Sequence, residues 1–156
     1  MTKTRATQLL SVQEEQAIEL PLDGKRVEVL RLRIPNSLKG RQVKLDGFFQ
    51  SNFFVADFEN DDVKQANLPY KYEIAYQVMT KSEEGNMAQV SPILLDTVSG
   101  VQQFTEFSVE HNTNPNFTIG LPCVAGDIVL MASVVEVQGG VAGAFVNTRS
   151  MNATVF

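Results

Sequence analysis

The chain has 156 residues, a net charge of -5, 44% hydrophobic and 20% charged residues, and a single cysteine. That length suits one domain able to bury about 70% of its unfolded surface without metal or disulfide staples. The acidic balance argues against a phosphate-binding surface for nucleic acid, and the local basic spots at 25–26, Arg31/Arg33 and 39–44 are interleaved with acidic and apolar residues. No apolar run is long enough to cross a bilayer, and one cysteine excludes an intrachain disulfide.

In chain order, residues 1–16 (MTKTRATQLLSVQEEQ) are polar around a short apolar patch, Leu9, Leu10 and Val12. They are expected as an N-terminal arm or a turn or two of helix. The lack of an apolar h-region leads us to expect no classical secretory signal. Residues 17–156 are expected as a single β-domain. "AIELPL" at 17–22 reads as a strand interrupted by Pro21, and "DGK" at 23–25 as a turn.

In Val27 to Ile34 the apolar side changes: Val27 and Val29 share one side, Leu30, Leu32 and Ile34 the other. Residues two apart on a strand face the same way. The phase change therefore predicts a bulge, or a strand passing from one packed sheet to another. Val43, Leu45, Gly47 and Phe49 alternate next, followed by the aromatics Phe53, Phe54 and Phe58 and an acidic connection at 59–69. Residues 70–81 (YKYEIAYQVMTK) give the clearest strand, with Tyr70, Tyr72, Ile74, Tyr76 and Val78 on the apolar side. Further strands are expected at 87–95, 102–110, 117–121, 128–137 and 141–148. "DTVSG", "HNTNPN", "AGD" and "QGG" are read as joints. Short strands so spaced indicate an all-β antiparallel sandwich of jelly-roll type.

No catalytic set emerges, and no enzyme is expected. His111 is the one histidine, beside "NTNPN". It reads as a surface loop residue, too few imidazoles for a metal site and without a nucleophile elbow. "DFENDD" at 57–62 starts like a calcium loop but has Asp62 in place of the sixth-position Gly and Leu68 in place of the closing Glu. Glu83 and Glu84 lie in a turn, and "QGGVAGAF" lacks the Lys-Ser/Thr pair of a phosphate cradle. No cofactor, metal or membrane partner is expected. Cys123, between apolar residues in "GLPCVAGD", reads as a buried inert thiol; the sharper alternative is a disulfide between subunits, which needs an exposed sulfur. The absence of Trp argues against sugar stacking.

What such a chain offers is self-association. Unprotected strand edges pair, and the arm could lend a strand to a neighbour. Leu9, Leu10 and Val12 of the arm, with Phe53 and Phe54, are the candidate subunit contacts.

Residues 29–47 (VLRLRIPNSLKGRQVKLDG), with "ILLDTVSG", "FTEFSVEHNTNPNFTIG" and "VAGDIVLMASVVEV", resemble small β-proteins of the Bacillus spore surface (exosporium), and more loosely the jelly-roll subunits of spore appendage fibres. The resemblance implies a non-enzymatic structural protein that assembles on the spore with copies of itself or other spore-surface proteins. It would arrive there by mother-cell lysis; cytoplasm and virion are the alternative settings. Fibre subunits of that kind carry N-terminal cysteines, and this arm has none, so filament formation is not supported through the arm. The late "GD" before an alternating strand also looks like trimeric C1q/TNF-like modules. The alternative function is thus a trimeric or phage-type receptor- or glycan-binding head.

Overall fold

A computed structural model describes residues 5–56, 68–102 and 109–156. Its strands are β1 (Gln8–Glu14), β2 (Ile18–Glu19), β3 (Val27–Leu32), β4 (Val43–Val55), β5 (Leu68–Lys81), β6 (Met87–Gln89), β7 (Leu94–Gln102), β8 (Val109–Thr113), β9 (Asn116–Leu121), β10 (Asp127–Gln138) and β11 (Val141–Val155). One 3-10 turn, Asn36–Leu38, follows β3.

Two antiparallel sheets divide these strands. The first runs β1-β11-β4-β8, with β2 continuing beside β11 and β9 beside β4. The second runs β3-β10-β5-β6, with β7 also paired to β5. The chain passes repeatedly between the sheets: β1 and β2 in the first, β3 in the second, β4 back in the first, and onward to β11. That is the jelly-roll sandwich expected from the sequence.

Period-2 side chains fill the space between the sheets. Leu45, Phe49, Phe53 and Val55 of β4 face Tyr72, Ile74 and Val78 of β5, with Ile128, Leu130, Val146, Met151 and Val155 completing the core. The five apolar residues predicted for one side of β5 are all buried. Phe53 stacks on Tyr72 at 4.3 Å between ring centroids, and Phe49 meets Tyr76 edge-on at 4.9 Å. Gly47 is required by this packing, since a Cβ there would stand 2.1 Å from the Phe117 ring.

The phase change in β3 is a bulge. Leu30 pairs with Leu130 and Glu28 with Met131, which leaves Val29 unopposed. Val29 and Leu30 are therefore both buried although adjacent. β11 has a matching irregularity: Val146 pairs with Ser51 and Arg149 with Phe49, so two residues of β11 span one of β4. Arg149, only 4% exposed, emerges from this second bulge. Its guanidinium donates to the carbonyl of Val29 in the opposite sheet, to Gln16 O at 2.6 Å and to Asn147 O at 2.9 Å. One buried side chain thus stitches the two sheets where both ladders break. Burial lowers its pKa, partly opposed by the nearby Glu14 carboxylate.

Several expectations change. Residues 8–14 form neither helix nor free arm; they are β1, paired residue for residue with Arg149–Val155. Arg41 anchors this end by donating to Ala6 O at 2.9 Å and Phe156 O at 2.7 Å. The strand expected at 17–22 contracts to Ile18–Glu19, and the strand expected at 87–95 divides, because the Ser91 hydroxyl takes the Val78 N–H at 2.9 Å and Pro92 supplies none. "DTVSG", read as a joint, lies within β7, and "HNTNPN" contributes to β8 and β9 around Asn114-Pro115. β11 extends to Val155, beyond the predicted end at 148. Phe58 and "DFENDD" lie outside the described residues.

Candidate functional site

The residues predicted for subunit contact do not converge. Leu9 is 79% exposed, but Leu10 and Val12 turn inward and pack on the core. Phe53 is corrected from contact candidate to core residue, because its position in β4 alternates with Phe49 and Val55 and points it between the sheets. Phe54 lies on the outer face of the first sheet, half-buried and stacked on Phe145 at 6.2 Å. Cys123 is exposed, contrary to the buried reading. It sits in the β9–β10 connection, where flanking apolar residues need not be covered.

His111 is also corrected. It belongs to β8 rather than to a loop, stacks on Phe53 at 5.1 Å and shares a 2.6 Å hydrogen bond with the Tyr70 hydroxyl. The Tyr72 hydroxyl and Ser51 lie 3.1 Å apart, and burial raises the Tyr72 pKa. These groups satisfy polar atoms inside an aromatic cluster. Among the described residues, no group of three or more His, Cys, Asp or Glu side chains could hold a metal, and no helix is long and apolar enough to cross a membrane.

The surface feature with the strongest character lies on the outer face of the second sheet, and the sequence reading did not single it out. Ser133, Ala75 and Leu95 stand in one row across β10, β5 and β7. The two small residues make a floor; Leu95 and Ile93 wall one side and Val135 and Met131 the other, enclosing a hollow of about 280 Å³. Val135 is prominent for a local reason. Val134 pairs with Ile74 and Glu136 with Glu73, so Val135 is a bulge residue. Ile93, Leu95 and Val135 remain 61%, 59% and 48% exposed.

The hollow has oppositely charged ends. Glu73 and Gln77 are four positions apart on β5, about 13 Å along the strand. At the Gln77 end, the Arg26 guanidinium donates to Gln77 Oε1 at 2.8 Å and contacts Met79 Sδ at 3.2 Å. At the other, the Glu73 carboxylate accepts from the Thr97 hydroxyl at 2.7 Å. The signal that could have found this face is the pair of apolar residues at outward positions, Leu95 and Val135, in strands whose alternate residues pack on the core, with Ile93 just before β7.

No family model and no curated protein matches this chain. Solved structures do. A chain in the structure of infectious bursal disease virus, Gx strain, is 9% identical, with a TM-score of 0.53 over 97% of this chain and 33% of that one. A chain of the T13 viral particle of the same virus is 10% identical, with a TM-score of 0.51 over 96% of this chain and 31% of that one. This chain spans about a third of the length of either. At such identities the likeness establishes the fold, a jelly-roll sandwich.

Proposed function

We propose that this chain is a non-enzymatic structural subunit that associates with copies of itself through the outer face of its second sheet. The observation that carries the reading is the hollow over Ala75 and Ser133, with its exposed apolar walls and its Arg26 and Glu73 ends. A two-fold axis lying across the strands along the Ser133-Ala75-Leu95 row places Arg26 of one copy against Glu73 of the other and brings the Leu95 and Val135 walls against their own counterparts. The patch is therefore complementary to itself, as an isologous contact requires.

Covering what Ile93, Leu95 and Val135 leave exposed is worth about 1 kcal/mol each, or roughly 6 kcal/mol per two-fold contact. That gross gain is of the order of the cost of association, so assembly should depend on concentration and strengthen when contacts repeat. The shared fold with virus-particle chains supports the reading by analogy only. The spore-surface setting rests on the sequence segments quoted above, and immunogold labelling of spores checks it.

Size-exclusion chromatography with light scattering, followed by negative-stain microscopy, tests the proposal. The wild type should gain mass with concentration, and Leu95→Glu should stay monomeric with an unchanged circular dichroism spectrum. A wild type that is monomeric at every concentration would overturn the reading. So would a Leu95→Glu protein that assembles normally, since a discrete trimer built on another face favours a receptor-binding head.

A further inference from the structure

A second concave surface lies at one end of the sandwich, between the Pro35–Lys39 turn and the Ser82–Gly85 turn. It is a groove of about 500 Å³ lined by Arg31, Arg33, Lys39 and Lys81, with Asp127 and Glu83 as its carboxylates. Four cations against Asp127, Glu83 and the adjoining Glu28, which pairs with Arg31 and Lys81, leave an excess of one positive charge, on a chain whose net charge is -5. The acidic surface thus has a local basic opening.

The pairing of each charged group shows which cations are available. The Arg31 guanidinium is held by Glu28 at 2.7 Å and lies 3.9 Å from Asp127. Lys81 is 3.7 Å from the same Glu28. Asp127 is engaged further, accepting the Ile34 N–H at 3.0 Å. These groups form a fixed, ion-paired floor. Among the described residues Lys39 pairs only with Glu83, at 3.1 Å across the mouth, and the Glu83 side chain is 76% exposed. Such a solvated pair opens at little cost. Arg33 is exposed and makes no ion pair among the described residues. It also lines the neighbouring groove between β1 and β3, so it commands both openings.

We propose that this groove binds a sulfated disaccharide unit, with Arg33 and Lys39 holding its sulfate groups and Glu83 swinging aside. A planar guanidinium and an ammonium lining one groove suit two oxyanion groups on one rigid scaffold. A volume of this size takes a ligand of one or two sugar rings. The Asn36 amide and Ser82 hydroxyl on the lining offer hydrogen bonds to sugar hydroxyls. Nucleic acid fits poorly, because Asp127 and Glu83 interrupt the track of cations a phosphate backbone follows. The groove shares no lining residue with the hollow proposed for self-association.

Isothermal titration of the full chain tests the assignment with four probes: a heparin-derived sulfated disaccharide, its desulfated counterpart, inorganic sulfate, and a single-stranded oligonucleotide. The sulfated disaccharide should bind and weaken as salt rises, and the desulfated one should not. Arg33→Ala and Lys39→Ala should each weaken binding about tenfold or more, Glu83→Gln should strengthen it, and Leu95→Glu should leave it unchanged. Sulfate binding as tightly as the disaccharide would overturn the saccharide assignment in favour of a free-anion site. Absence of binding, preference for the oligonucleotide, or indifference to Arg33→Ala and Lys39→Ala together would overturn the proposal.

Discussion

Replacing Arg149 by methionine removes the guanidinium that ties the two broken ladders together while keeping a long side chain in the same space. Three carbonyls lose a donor. That of Val29 lies between the sheets, where water cannot replace the bond, at a cost of about 2 kcal/mol. Those of Gln16 and Asn147 are only partly buried, so their loss costs about 1 kcal/mol each. Methionine also avoids burying a charge, the same burial that lowers the arginine's pKa, and this offsets part of the loss. The balance is a destabilisation of about 3 kcal/mol, or a fall in Tm of roughly 6–12 °C for a chain of this size. Urea unfolding followed by circular dichroism measures it, with the midpoint expected to fall and the m-value to hold. Arg149→Lys, which keeps the charge but reaches fewer carbonyls, should fall in between. A loss below about 1 kcal/mol in the methionine variant would refute the claim that this side chain fastens the sheets.

Two further expectations concern the core and pH. Phe53→Ala should cost about 3–5 kcal/mol, because its ring lies between Tyr72 and His111. Phe54→Ala should cost only about 1 kcal/mol, and equal losses in thermal melts would contradict the assignment of one to the core and the other to the outer face. The Arg31 guanidinium, bonded to Glu28, holds that carboxyl below its ordinary value of 4.5, with Lys81 adding a smaller pull. The folded state therefore resists protonating Glu28, so its stabilisation is present above pH 4.5 and is lost as pH falls through the lowered value. Glu28→Gln should flatten that part of an acid stability profile, and a profile parallel to the wild type would exclude the pairing.

Much of the architecture was legible from local alternation, and the misses share a cause. The phase change at Val29 and Leu30 announced its bulge because both flanking segments were apolar. The equivalent bulge in β11 was hidden: Ala144 and Val146 alternate on one phase and Met151, Ala153 and Val155 on the other, with Arg149 at the junction. An arginine there reads as solvated, and only the distant Val29 carbonyl explains its burial. The end of β4 was not legible for a similar reason. Ser51 at an inward position looks like a strand end until Tyr72 supplies its partner. β1 gave no local signal at all, because its register depends on residues at the far end of the chain. The apolar outer face of the second sheet was missed because period-2 reasoning assigns outward residues to solvent; the exposure of Ile93, Leu95 and Val135 emerges only when β7 and β10 flank β5. Cys123 shows the opposite error, since apolar neighbours in sequence did not make it buried.

The most direct measurement of the central claim is a charge exchange read by analytical ultracentrifugation. Arg26→Glu and Glu73→Arg should each weaken association, because either change sets like charges across the two-fold contact. The double exchange should restore it towards the wild-type level. If both single variants associate as the wild type does, or if the double variant is no better than either, then copies of this chain do not meet on the face built around Ala75 and Ser133.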